Sequence, residues 1–222
     1  MNSIVRSTIV AQIGATIAIA ASSVDVAPAH ALAINGASSG ISNPAQTIDF
    51  NDLTVGDRTV ITNRYPGVTF SNLFASTYSN GSNITGRNLT NFSSGLGSGA
   101  RNPFSIRFST PRSGAAFAMV TVTGTATFTA LLNGVAVETF NANTGFFGSN
   151  NFYGFTGSSG FDEIQVSIAS SDNGGVIDTL QIGAAATPVP FGFTPLPGLA
   201  VSGLLSGIHR LRKQFAKERA EA

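Results

Sequence analysis

Apolar and polar residues alternate through the middle of this chain. In PFSIRFS, Phe104, Ile106 and Phe108 alternate with Ser105, Arg107 and Ser109, the period of a half-buried strand. The run TATFTALLNGVAVETF carries two such segments on either side of Asn133-Gly134, the strongest short hairpin signal. DEIQVSIA sets Ile164, Val166 and Ile168 on one face, VIDTLQIG adds a last strand, and TVITNRYPGVTFS two earlier ones. Between Thr47 and Ile182 no stretch sustains a helical period. Short strands separated by Gly, Asn and Ser turns predict an all-β domain over 47–183, an antiparallel β-sandwich or jelly roll.

Two stretches break the rhythm. Residues 76–101 are polar and Gly-rich and predict a long mobile loop with one strand inside. Asn80, Asn83, Asn88 and Asn91 there each open an Asn-x-Ser/Thr tripeptide, read as composition rather than as glycosylation sites. In NANTGFFGSNNFYGFTGSSGF, Phe146, Phe147, Phe152, Tyr153 and Phe155 stand among Gly and Asn. Aromatics on loops stack on sugar rings, so Phe147 and Tyr153 are candidate glycan contacts. Ordinary core packing by phenylalanine is the competing reading, because the chain has 17 Phe, three Tyr and no Trp.

Both ends look like addresses. Arg6 precedes an apolar run from Ile9 to Ala21, and Ala29-His30-Ala31 offers a cleavage site, the plan of a signal peptide over 1–31. A linker over 32–46 would follow. At the other end a Pro-rich linker, 184–197, leads into GLAVSGLLSGI, residues 198–208, a short transmembrane helix. A basic tail over 209–222 closes the chain, and Arg210, Arg212 and Lys213 suit the cytoplasmic side. The alternative is an amphipathic helix lying on the domain surface.

Composition narrows the chemistry. The chain holds no cysteine, and its two histidines, His30 and His209, lie in the leader and the tail. Between Leu32 and Ala186 there is no lysine either, and six arginines stand against eight acids. Nucleic-acid binding lacks its basic stripe, while Ser-His-Asp, Cys-His and His-ligated zinc chemistry lack their residues. An expectation of no enzyme activity follows. A glycosidase carboxylate pair is left only by elimination, from Glu138, Asp162 and Glu163. Asp178 stands apart: it shares strand parity with Val176, Leu180 and Ile182 and should point inward. A buried carboxylate is costly without partners, so either a hard cation, or a neighbouring loop's amides or an arginine, should meet it.

Pro188, Val189, Pro190, Phe191, Phe193 and Pro195, followed by the short apolar run and the basic cluster, resemble the PEP-CTERM sorting signal of exosortase substrates. PFGFTP is similar to its cyanobacterial form; Val189 holds the place of the glutamate in the Pro-Glu-Pro form. The resemblance implies an exported protein, held at least transiently in the membrane through its C-terminal segment and then delivered to the cell surface or extracellular matrix. It also implies an exosortase-type processing enzyme as partner. IDFNDL, YPGVTFS, NFYGFTG, FDEIQV and IDTLQIG are similar to domains that precede such signals and to carbohydrate-binding jelly rolls. That second likeness implies a structural calcium between the first and last strands, with Asp178 and either Asp49 or Asp52 as ligands. The expected role is structural or adhesive, in contact with polysaccharide; the alternative is a specific lectin-like module.

Overall fold

A computed structural model describes residues 31–187. The expected leader through His30, the sorting motif 188–195, the span 198–208 and the basic tail lie outside the described residues. Those that are described form twelve strands: β1 (Leu32–Ala37), β2 (Gln46–Ile48), β3 (Val68–Ser71), β4 (Phe74–Ser76), β5 (Asn88–Thr90) and β6 (Phe92–Gly95), then β7 (Ser98–Ala100), β8 (Phe104–Thr121), β9 (Gly124–Leu132), β10 (Val135–Thr144), β11 (Phe152–Ala169) and β12 (Gly175–Ile182). Every pairing is antiparallel. No described residue is helical, and among them no helix is long and apolar enough to cross a membrane.

Two strands organise the architecture. β8 and β11 are each 18 residues long, about 60 Å if drawn straight, too long for one flat layer of a domain this size. Both therefore bend. In β8 the exposed stretch from Ser109 to Pro111 marks the bend; in β11 the register breaks between Thr156 and Phe161. The late half of β8 pairs with β12 and with the early half of β11, which β1 borders. β2 and β5 share the far edge of β12, and β4 lies beyond β5. The early half of β8 pairs with β3 and with the late half of β11, followed by β9 and β10.

The two halves pack face to face through phenylalanines. Phe128 of β9 stacks on Tyr153 of β11 at 5.0 Å and lies 6.2 Å from Phe117 of β8. Phe155 and Phe161, on either side of the β11 break, meet edge to face at 5.8 Å. The alternating residues Phe104, Ile106, Phe108, Ile164, Val166 and Ile168 are all buried in this core. Asn133 and Gly134 make the β9–β10 turn with φ of 52° and 80°, the left-handed pair that a two-residue hairpin requires.

Tight spacing between β11 and β8 explains one glycine. A Cβ on Gly154 would stand 2.1 Å from the Ala115 carbonyl oxygen and 2.6 Å from the Ala116 Cα. Backbone atoms inside a ladder have little room to retreat. Gly154→Ala is expected to cost about 1–3 kcal/mol as an overpacking change, read from the urea midpoint of the full chain.

Four expectations need correction. Residues 32–46 are not a linker: β1 pairs with β11 from Leu32 to Ala37 and β2 begins at Gln46. The C-terminal boundary also moves, because Ala184 and Ala186 remain hydrogen-bonded to β8 through Ser113 and Pro111. Stretch 76–101 holds β5, β6 and β7 rather than one strand in a long loop, and its polar residues build it. Asn91 donates to the Arg101 and Asn173 carbonyls and accepts from Gly175 N–H. Asn88 and Asn91 are fully buried, so two of the four tripeptides are closed to any modifying enzyme in the folded state. Of the two early strands only β3 forms; around Val60 there is a single bridge to Phe74.

Candidate functional site

A second, smaller core lies on the outer face of the β8–β12 layer. Ile84, Ala118, Val120, Phe152 and Val176 are buried there, with Ala37 and Tyr78 packed against them. Residues 77–87, between β4 and β5, form its cover, and Ile84 is the plug. Beyond it opens a narrow apolar slot of about 50 Å3, walled by Tyr78, Phe92, Leu96, Val120, Val122 and Phe146. Phe146 joins Tyr78 at 6.4 Å and Phe147 at 6.1 Å, and Phe147 itself is 88% exposed.

The candidate glycan contacts therefore part company. Phe147 is exposed beside Phe146, outside the slot wall, but Tyr153 is 4% exposed and stacked on Phe128, out of reach of any ligand. Burial also raises the pKa of its phenol. Strand alternation accounts for this: Tyr153 and Phe155 share a face of β11 that opposes Phe117 and Ala115 of β8. Tyr78, Phe92 and Leu96 were not legible as site residues, because nothing local in a Gly/Ser-rich stretch says which apolar side chains will converge.

Asp178 is 1% exposed, but strand parity misplaces its surroundings. Thr179 sits at φ +49°, and the β12–β8 register shifts between Asp178 and Gln181. Leu180 and Ile182 face the main core, whereas Val176 belongs to the outer one and Asp178 lies opposite Ala118 of that outer cluster. Asp178 thus lies beneath the 77–87 cover. Its Oδ2 accepts Thr85 N–H at 2.8 Å and its Oδ1 accepts Thr179 N–H at 2.6 Å. Burial raises its pKa to about 6, the Asp49 carboxylate adds to the rise, and the two amides oppose it.

This donor set does not fit the expected calcium site. Asp49 and Asp178 are brought together, but Asp52 accepts the Tyr65 hydroxyl at 2.5 Å; burial, and then this bond, push the Tyr65 pKa up. Asp49 Oδ1 accepts Asn51 N–H, and both Asp178 oxygens are held by amides. Among the described residues no three acidic side chains converge on a point. Amide hydrogen bonding, the other way to satisfy a buried carboxylate, is what the geometry provides.

Two of the acids considered for glycosidase work hold structure together. Glu163 is buried and pairs with Arg107 at 2.6 Å, raising the arginine's pKa. Asp162 accepts Asn133 N–H at the β9–β10 turn. Glu138 lies on β10 opposite Ala130. None of the three lines the slot.

No family model matches the chain, and no curated protein matches it. Among solved structures, it is similar to the enzymatically active domain of bacteriophage CBA120 tailspike protein 4, at 17% identity and a TM-score of 0.35. The match covers 60% of this chain and 21% of that one.

Proposed function

We propose that the chain is an exported surface or extracellular-matrix protein with a structural or adhesive role. Its body would be a jelly-roll β-sandwich similar to carbohydrate-binding modules, and its C-terminal PEP-CTERM-like signal would be read by an exosortase-type enzyme. The course of β12 carries the reading. This strand begins beside the slot at Gly175, runs eight residues, about 26 Å, and continues through Ala186 along the bend of β8. Ala186 thus lies at the end of this course away from the slot. A domain tethered through that end presents its exposed aromatic loop outward, the orientation an adhesive module needs. Cell fractionation with mass spectrometry of both termini tests this. The expected product starts near Leu32, lacks the basic tail and lies at the surface or in the matrix; an intact chain dissolved in the cytoplasm overturns it.

A specific observation favours a second reading, a lectin-like module: the Tyr78–Phe146–Phe147 cluster with Phe147 almost fully exposed. Saturable binding of the full chain to one glycan on an array, lost in Phe147→Ala without a change in melting temperature, is the expected result. Binding that survives this substitution moves the contact elsewhere.

A further inference from the structure

A protruding ring and a narrow apolar hollow lie side by side on one face of the domain. Both involve the loop between β10 and β11, residues 145–151. Phe146 walls the slot and meets Tyr78 at 6.4 Å, while Phe147, 6.1 Å from Phe146, is 88% exposed. Glycines flank the pair at 145 and 148, and a Cβ on Gly148 would meet nothing within 4 Å, so the loop stands clear of the sheet there. Another wall is Leu96, in the β6–β7 turn and 47% exposed. Val120 and Val176, both buried, line the slot from the sheet beneath. An exposed ring beside an open apolar hollow marks a contact surface, where a lone exposed residue does not.

The chemistry of the slot selects an apolar occupant. Polar side chains among its lining residues are those of Tyr78, Thr121 and Asp172, and two of the three are engaged. Thr121 Oγ1 donates to the Val122 carbonyl at 2.8 Å and lies 2.6 Å from Thr144 Oγ1. Asp172 Oδ1 accepts the Ser170 hydroxyl at 2.9 Å and Gly174 N–H at 3.2 Å. The Tyr78 hydroxyl alone is too little for a sugar, whose hydroxyls lose water on entry. The volume of about 50 Å3, against about 150 Å3 for a cavity that encloses benzene, admits the edge of one ring. A charged partner finds little to pair with, and a second copy meets little repulsion. Asp172 is the only charged residue lining the slot, and 145–151 contains none.

We propose that this face pairs with a second copy of the same chain, the Phe147 ring of each entering the slot of the other. A two-fold axis passing between ring and slot exchanges them, so a single kind of contact is made twice and the assembly closes at two copies. Phe147 is the anchor, and Tyr78, Leu96 and Phe146 are the walls that receive it. The area is small. A phenylalanine buries about 150–250 Å2, so two rings and the walls they cover stay below the roughly 1,200 Å2 at which stable interfaces begin. The pair therefore forms and parts readily in solution and becomes substantial where many copies are held close together. Crowding of that kind rests on the surface reading above, whereas the pairing itself does not.

Sedimentation equilibrium of the full chain from about 10 µM to about 1 mM tests the pairing. The expected result is a monomer–dimer equilibrium whose association constant falls at least about tenfold in Phe147→Ala. Leu96→Asp, which sets a carboxylate at the slot wall, should lower it similarly. Both residues are exposed, so each variant should keep the wild-type melting temperature. Mixing the two variants offers an intact ring to an intact slot, and the mixture should associate more strongly than either variant alone. A chain that stays monomeric throughout the range overturns the proposal. Association left unchanged by both substitutions does so too, as does a mixture no better than its components. Glycan binding that requires Phe147 in a chain that stays monomeric would assign the ring to a sugar, overturning the pairing while keeping the lectin-like reading.

Discussion

Phe128→Ala is expected to destabilise the domain by about 3–5 kcal/mol, a large part of a typical domain stability of about 5–15 kcal/mol. Phe128 is fully buried between the halves of the fold. It stacks on Phe140 at 4.9 Å and on Tyr153 at 5.0 Å, and also touches Phe117. Truncation leaves a cavity walled by three rings belonging to β8, β10 and β11. Rings fixed in separate ladders cannot collapse into it together, which puts the cost at the upper end of core truncations. Urea unfolding of the full chain reads the change in midpoint. The exposed Phe147→Ala is the matched control, with a change within about 0.5 kcal/mol. Equal losses in the two variants would mean that the halves do not meet where the rings lie.

The second large effect is a dependence of stability on pH. Asp178 holds its proton more tightly in the folded chain than an ordinary aspartate, with the pKa raised from 3.8 to about 6. Below the ordinary value both states are protonated, and the group contributes nothing to the slope. As pH rises toward 6 the unfolded chain releases this proton first, so the folded state loses relative stability. Above about pH 6 the loss is complete, at roughly 2–3 kcal/mol. Asp178→Asn should flatten this part of the profile: the difference between wild type and variant should shift by that amount from pH 4 to pH 7 and then level off. At acidic pH the variant should be the less stable of the two, because its Nδ2 confronts one of the two backbone N–H donors that the carboxyl oxygens accept. A parallel pair of profiles would show that Asp178 is already ionised and solvated in the folded chain.

The functional consequence of both effects follows from where they act. The Phe128 cluster fixes the relation between the two halves. Asp178 acts on the 77–87 cover, whose Tyr78 helps to wall the slot. The ring cluster and the buried Asp178 thus act on different parts of the domain.

Local pattern and composition determined much of this protein. Period-two alternation located the strands around Phe104, Phe128 and Ile164, and Asn133-Gly134 marked the hairpin, because side-chain direction and turn dihedrals are set by neighbours in the chain. Composition withheld histidine, cysteine and lysine from the body, and no fold can restore them. Asp178 was legible as buried for the same local reason. Tertiary structure decided the rest. Only pairing with a distant strand turns 32–37 from linker into β1, and only the Thr179 bulge puts Asp178 under a loop instead of in the main core. Asn91 reads as a loop residue until buried partners from β12 and its preceding turn are in place, and Asn88 until the Tyr78 and Gly86 carbonyls close on it. Tyr153 and Phe147, six residues apart with similar aromatic character, end on opposite sides of the boundary between core and solvent. That boundary is drawn by long-range packing, and nothing within a few residues of either ring encodes it.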